Sequence, residues 1–262
     1  LLTGQKGIGK ASVARLAAAW LLSEHKYEET TFNSDSSIFG INQQDPGASL
    51  VINGAHPDYL VVSPETDNNK SELIKVDQIR RLISFVKHKP ARGSWRVALI
   101  DSLDDVNMNG MNAMLKLLEE PPQKTVIFLI SSRFGQLPAT VRSRCKVTRM
   151  QSLSVIDCHK ALSRIWPKED RANNDTLTKL SEGAPGRAIK IAESSTTEMY
   201  QEVCAFLLAP NFDPTILANI CSKLGRKITA GRDIREGAIY CIDRLLRSAA
   251  LHASGIKLEN QC

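Results

Sequence analysis

A glycine-rich segment near the start of the chain has the spacing of a phosphate-binding loop. Gly4, Gly9 and Lys10 fit the pattern G-x-x-x-x-G-K, and Gly7 lies inside it. In such a loop the glycines let backbone N–H groups close around phosphate, and the lysine reaches the outer phosphate oxygens. The apolar residues before and after the loop predict a strand that leads into a helix. The segment therefore predicts a nucleotide-binding loop rather than a turn that only caps a helix.

A second element of such a site ends at Asp101, where the apolar residues 97–100 predict a buried strand followed by an acid that could hold magnesium. Two groups that hydrolysis needs are missing from their positions. Ala11 stands where a serine or threonine hydroxyl would bind magnesium, and Ser102 stands where a glutamate would orient water. Phosphoryl transfer depends almost wholly on such positioning. We therefore expect no intrinsic hydrolysis and no required cofactor, while weak binding of uncleaved ATP or ADP is left open.

The composition indicates a globular protein of the cell interior. A formal net charge of +6 and a pI near 9.0 are compatible with contact to nucleic acid, but no long run of lysine and arginine accompanies them. No segment has the roughly 20 apolar residues that cross a bilayer, so we expect a cytoplasmic protein without membrane contact. The cysteines are widely spaced and never form C-x-x-C, which favours reduced thiols over disulfides or zinc ligands.

Apolar strands alternate with amphipathic helices over residues 1–150. This alternation predicts right-handed crossovers and a parallel sheet with helices on both faces, so the expected class is α/β with a P-loop domain. Residues 151–195 predict a small helical lid domain, and residues 196–262 predict a third, all-helical piece. Because the first strand and the last helix are both cut short, we expect the sequence to be part of a longer protein.

Three details of the first domain can be predicted from local composition. Residues 23–54 are polar and lack a sustained period, which predicts an irregular insertion. Asp77 is expected to cap the helix that follows it. Asp104 and Asp105 lie just beyond the strand that ends at Ile100, so we expect a solvent-facing or helix-capping pair.

Three further motifs follow the P-loop in order: L-L-E-E-P-P from Leu117, L-P-A-T-V-R-S-R-C from Leu137, and G-A-P-G-R from Gly183. Together with the P-loop they resemble the clamp-loader branch of the AAA+ family over residues 1–192. Beyond that point only the helical character is similar to the collar domain of that family. The degraded P-loop beside an intact S-R-C motif resembles the subunits of this branch that do not hydrolyse ATP, rather than the gamma/tau subunits, which keep the hydrolytic groups.

The resemblance implies a part in the DNA polymerase III holoenzyme, within a five-subunit ring that also contains gamma/tau and delta subunits. Such a ring opens the sliding clamp and places it on primed DNA. Carried over by position, Arg144 would be an arginine finger that acts in trans on ATP held by the neighbouring gamma/tau subunit. Arg142 is expected to be structural. Arg187 falls at the second sensor position, where it would contact nucleotide or hold the lid together, and Ser131 and Ser132 fall in the first sensor region.

One feature of the branch is absent from this sequence. Many of its subunits carry a four-cysteine zinc module before a His-Pro-Asp motif, whereas residues 23–54 contain no cysteine. We therefore expect no zinc, and without sulfur partners His56 is expected to be structural.

Two other functions would require different residues. A hydrolysing ATPase of the gamma/tau type would need serine or threonine in place of Ala11 and a carboxylate in place of Ser102. A P-loop kinase for a small molecule would need its own substrate-binding cluster, and it would not need the motif that begins at Leu137. Direct contact with DNA and the partners of the collar are left open.

Overall fold

The structure, a computed structural model, describes residues 1–24, 45–64, 73–92, 95–165 and 177–193, together with Thr215, Ser222, Asp243 and Ser254. These residues belong to two compact units. The first contains Leu1–Gln5 and Gly9–Gln151, and the second contains Lys6–Ile8 with the described residues from Ser152 onward. The helices predicted over residues 196–262 lie outside the described residues, apart from those four isolated positions.

Parallel strands form the five-stranded sheet of the first unit. They are β1 (Leu2–Thr3), β2 (Tyr59–Val62), β3 (Arg96–Ile100), β4 (Thr125–Ser131) and β5 (Thr148–Arg149). Their order across the sheet is β2-β3-β4-β1-β5, and each neighbouring pair is parallel. The strand before the P-loop thus lies between β4 and β5. This arrangement confirms the expected α/β class.

Helices connect these strands. They are α1 (Lys10–Leu22), α2 (Pro46–Ile52), α3 (Val76–Lys87), α4 (Met108–Glu119) and α5 (Ala139–Arg142), with short 3₁₀ turns at Leu103–Asp105 and Phe134–Gln136. The inner strand β3 is buried along its whole length. Its residues alternate between two apolar clusters: Ala98 and Ile100 pack with α3 and α4, while Val97 and Leu99 pack with α1 and α2. Helices therefore cover both faces of the sheet.

The expectation of an irregular segment over residues 23–54 was wrong for its last part, which forms α2. Asp45 caps this helix, because its carboxylate accepts the Ala48 N–H at 2.9 Å, and Pro46 follows in the first turn, where its missing N–H costs nothing. A Cβ on Gly47 would lie 2.2 Å from the Leu22 carbonyl oxygen, so this glycine allows α2 to approach the end of α1. Residues 25–44 lie outside the described part of the chain.

The start of α3 also differs from the expectation. Asp77 was expected to cap the helix but lies inside its first turn, and Lys75 occupies the N-cap. The Lys75 N–H donates to the Gln78 side-chain oxygen at 2.8 Å. A side chain three residues into the helix therefore reaches back to satisfy the cap, as in a capping box.

The described part of the second unit beyond residue 151 is helical. It contains α6 (Val155–Ile165), a helical stretch over residues 177–181, and α7 (Pro185–Glu193). Its apolar core consists of Cys158, Leu162, Leu177, Leu180, Ala188 and Ile191. Among the described residues, no helix of either unit is long and apolar enough to span a membrane.

Candidate functional site

The P-loop leaves β1 at Gly4 and reaches the N-cap of α1 at Gly9. Gly4 has a φ of 152°, and a Cβ on it would lie 2.4 Å from the Met150 carbonyl oxygen. Any other residue at this position would have to displace backbone. Gly9 has a φ of 97° but would meet no atom within 4 Å, so its requirement for glycine is conformational only.

Gly7 has different neighbours, all within the second unit. Its carbonyl oxygen accepts the Gly186 N–H at 2.8 Å, at the start of α7. A Cβ on Gly7 would lie 2.6 Å from the backbone nitrogen of Arg187. The Arg187 side chain itself pairs with Glu182, with 3.1 Å between Nη1 and Oε2. The structure thus brings the backbones of Gly7 and Arg187 together, while a nucleotide-sensing role for Arg187 stays a prediction.

Lys10, the P-loop lysine, is buried and points back into its own loop. Its Nζ lies 2.8 Å from the carbonyl oxygens of both Gly4 and Gln5, and 2.9 Å from the Ser132 Oγ. An ammonium group has three N–H donors, and these three oxygens can accept all of them. In this structure the ammonium therefore holds the loop closed and ties it to the end of β4.

Asp101 follows β3 and lies near the same ammonium group. Burial raises the pKa of its carboxyl, and the positive charge of Lys10 is the main influence that opposes this rise. The structure therefore brings Lys10 and Asp101 to one edge of the sheet, and their role in binding nucleotide stays a prediction. Ala11, beside Lys10 in α1, packs against the apolar cluster of that face and offers no hydroxyl.

Ser102 stands where a hydrolysing enzyme needs a glutamate, and its hydroxyl is already engaged. The Ser102 Oγ donates to the Asp105 carboxylate at 2.7 Å. A neutral serine hydroxyl lacks the negative charge with which a glutamate carboxylate orients an attacking water.

Asp104 is the residue that sequence reasoning missed. It was expected to face solvent or cap a helix with Asp105, but its carboxylate accepts the Ser131 hydroxyl and the Ser132 N–H, both at 2.6 Å. Because Ser132 also binds Lys10, Asp104 supports the P-loop through one intermediate residue. The available signal was that β3 and β4 are parallel neighbours, so residues just after their ends meet at one edge.

Arg144 lies away from this group. Its Nε donates to Glu119 Oε1 at 2.7 Å, and its Nη2 forms an ion pair with the same oxygen at 2.6 Å. Its Nη1 donates to the Thr140 carbonyl at 2.9 Å and lies 3.4 Å from the Ser143 Oγ. None of these partners belongs to the P-loop or to the ends of β3 and β4. The structure therefore does not bring Arg144 to the chain's own candidate nucleotide site.

Arg142, two residues earlier, has different surroundings. Its guanidinium lies over the Phe134 ring, 5.3 Å from the ring centre, and Arg149 approaches the same ring at 5.7 Å. Such stacking is a packing contact with a favourable cation–π component. The placement agrees with a structural role for Arg142.

The His-Pro-Asp segment forms a buried network. Asp58 donates its N–H to His56 Nδ1 at 3.0 Å, and its carboxylate accepts the N–H groups of Ala91 and Arg92 at 2.7 Å and 2.8 Å. Arg96 pairs with the same carboxylate at 3.6 Å. His56 therefore acts as an acceptor for backbone. Within the described ranges, no three His, Cys, Asp or Glu side chains are grouped as metal ligands, and the expected absence of zinc stays a prediction.

Comparison with known proteins gives a consistent family. The profile of the family described as DNA polymerase III, delta subunit, matches residues 1–154. The DNA polymerase III subunit delta' of Pseudomonas aeruginosa is 32% identical over 78% of this chain and 58% of its own length. The subunit tau/gamma of Haemophilus influenzae is 29% identical over 71% of this chain and 25% of its own length. The chain thus spans little more than half of the first relative and a quarter of the second.

Among solved structures, a gamma-subunit-related protein of DNA polymerase III from Thermotoga maritima is 16% identical, with a TM-score of 0.44 over 99% of this chain and 87% of the other.

Proposed function

This chain belongs to the DNA polymerase III delta subunit family, and from that premise we propose that it is a delta-prime type of clamp-loader subunit that does not hydrolyse ATP. It works in the cytoplasm, in a hetero-pentameric ring with gamma/tau and delta subunits. That ring opens the sliding clamp and places it on primed DNA. The similarity to a protein named subunit delta' supports the choice of subunit type.

The observation that carries the proposal is the separation of Arg144 from a candidate site that lacks hydrolytic groups. At the chain's own candidate nucleotide site, Ala11 offers no magnesium ligand, and the Ser102 hydroxyl donates a hydrogen bond to Asp105. Arg144, by contrast, is an exposed cation whose partners all lie elsewhere. Arg144 lies away from the candidate nucleotide site of its own subunit, and that site lacks the groups for hydrolysis. This placement supports a role for Arg144 at the nucleotide site of a neighbouring subunit.

In this role Arg144 is an arginine finger. Its guanidinium would reach the γ-phosphate of ATP held by the adjacent gamma/tau subunit and offset the charge that develops in the transition state. The subunit would then control hydrolysis without carrying it out. Lys10, Asp101 and Arg187 keep the frame of a nucleotide site, so any nucleotide bound there stays uncleaved and the subunit needs no cofactor of its own.

The second candidate is a hydrolysing subunit of the gamma/tau type, which the similarity to tau/gamma proteins favours. It requires that the missing groups at Ala11 and Ser102 be replaced from elsewhere. Asp104 and Asp105 are the next carboxylates along the chain after Ser102, but both already accept hydrogen bonds from serine residues. The first proposal is therefore preferred.

The two candidates can be separated with full-length protein. The purified subunit is tested alone for ATP turnover with Mg²⁺, and then mixed with gamma/tau and delta subunits and tested for complex formation by size exclusion. We expect no turnover above background alone and a defined complex in the mixture. Turnover that disappears in Lys10→Ala would establish the hydrolysing alternative, and failure to enter the complex would remove the clamp-loader role.

A further inference from the structure

The glutamates of the L-L-E-E-P-P motif have no place in the function proposed so far. The first of them, Glu119, is the last residue of α4. Its Oε1 accepts the Nε–H of Arg144 at 2.7 Å and forms an ion pair with Nη2 at 2.6 Å. The second, Glu120, is the C-cap of the same helix and makes no hydrogen bond or ion pair with Arg144. Two adjacent acids therefore differ in one defined contact.

The Arg144 guanidinium is held from two directions. Glu119, at the end of α4, binds the Nε side, and the Thr140 carbonyl in α5 binds Nη1 at 2.9 Å. Because the guanidinium is planar, contacts from two separate elements fix both its position and the orientation of its plane. A free arginine side chain would lose much rotamer freedom on binding a phosphate. A guanidinium that is already oriented loses less, which favours the bound state.

We propose that Glu119 is the positioning residue of Arg144 and fixes the guanidinium in the orientation in which it meets the neighbouring subunit's nucleotide. The inference rests on the proposed trans-acting role of Arg144. Glu119 acts through Arg144 alone and touches no nucleotide itself. The Nη2 group of Arg144 makes an ion-pair contact with Glu119, and the 3.4 Å contact of Nη1 with the Ser143 Oγ is weak, so this end of the guanidinium is the one available to phosphate.

The geometry distinguishes positioning from the opposite role, in which the carboxylate competes with phosphate for the guanidinium. The Nε–H donates to Glu119 Oε1, and the amide oxygen of glutamine can accept the same hydrogen bond. Positioning by this hydrogen bond therefore survives in Glu119→Gln and is lost in Glu119→Ala. If the carboxylate were a competitor, Glu119→Ala would release Arg144 and raise its effect on the neighbour.

The test uses the full-length subunit assembled with gamma/tau and delta subunits, with Glu120→Ala as the matched control for removing an acid from the same helix end. The kcat and KM of clamp- and DNA-stimulated ATP hydrolysis are measured. We expect Glu119→Ala to produce most of the fall in kcat that Arg144→Ala produces, with little change in KM. Complexes with Glu119→Gln or Glu120→Ala should have a kcat and a KM close to those of the unmodified complex.

A combined variant separates positioning from general damage to the fold. Glu119→Ala should lower kcat no further when Arg144 is already alanine, because Glu119 acts only through that side chain. The inference is overturned if Glu119→Ala leaves kcat unchanged or raises it. It is also overturned if the effects of Glu119→Ala and Arg144→Ala on kcat are additive, or if Glu119→Gln lowers kcat as much as Glu119→Ala does. If Arg144→Ala itself has no effect, the proposed function fails first and the inference falls with it.

Discussion

The Lys10 Nζ lies 2.9 Å from the Ser132 Oγ, although the two residues are 122 positions apart in the chain. Ser132 is held in turn by Asp104, which accepts its N–H at 2.6 Å. The P-loop lysine is therefore fixed by a hydrogen-bonded series that crosses from α1 to the ends of β4 and β3. Removing one residue of this series should therefore disturb the positions of the others.

Asp104→Ala is expected to destabilise the protein by about 2–4 kcal/mol, because the Ser131 hydroxyl and the Ser132 N–H both lose their acceptor. Asp104→Asn keeps one acceptor oxygen and should cost less. Urea unfolding of the full-length protein measures both. The control is Asp77→Ala, which removes only an exposed pair with Arg80 and should cost at most about 1 kcal/mol. Equal losses for Asp104→Ala and Asp77→Ala would contradict the role given to Asp104.

Arg144→Ala is expected to leave folding and ring assembly intact and to lower both stimulated ATP hydrolysis and clamp loading. An arginine finger can be worth roughly 10³ to 10⁵ in rate at its own site. Since a ring with several ATP sites loses the finger at only one of them, the total hydrolysis should fall only in part. Clamp loading by the assembled complex is the decisive measurement, and loading at the normal rate would reduce this subunit to a scaffold.

Arg144→Lys should restore little, because an ammonium group lacks the planar fork that matches phosphate oxygens. Lys146→Ala is the matched control: it removes one exposed positive charge two residues away. If Lys146→Ala lowers loading as much as Arg144→Ala, the effect is one of net charge rather than of a finger.

The stability of the fold should depend on pH through His56. Burial lowers the pKa of His56 below its ordinary value; Arg92 acts in the same direction, and Asp58 and Glu24 oppose it. The unfolded chain, with an ordinary pKa of about 6.5, therefore binds the proton first as the pH falls. The contribution of His56 is fully present above that pH and is lost below it.

His56→Gln tests this dependence, because glutamine can still accept the Asp58 N–H but does not titrate. The midpoint of thermal unfolding is measured between about pH 8 and pH 5. The unmodified protein should lose more stability over this range than the variant does. Parallel curves for the two proteins would show that His56 does not contribute.

The P-loop glycines offer a matched pair for backbone effects. Gly7 and Gly9 have similar φ values of 88° and 97°, but a Cβ on Gly7 would lie 2.6 Å from the Arg187 nitrogen, whereas one on Gly9 would meet nothing within 4 Å. Gly9→Ala should cost about 1–2 kcal/mol, the cost of a left-handed conformation. Gly7→Ala should cost clearly more. Equal unfolding midpoints for the two variants would mean that the contact with Arg187 is not maintained in solution.

Much of the first unit was predictable because its signals are local. After Arg96 the strand β3 is apolar, as expected of a strand covered on both faces, and the helices that flank it have apolar residues at helical spacing. The part formed by α2 was missed, although Asp45 and Pro46 carry the start signal of a helix. Helix α2 is short and its buried residues are mostly small, so it gives no strong apolar pattern within the polar segment around it.

The sequence by itself determined the α/β class, the P-loop residues Gly4 and Lys10, and the absence of hydrolytic groups at Ala11 and Ser102, because each follows from residue types at fixed spacing. Only the tertiary structure decided which residues bind one another. It places Ser132 against Lys10, Asp104 against Ser132, and Glu119 against Arg144. These pairs join elements that are distant in sequence, and their distances depend on strand order and helix packing. No local pattern encodes that geometry.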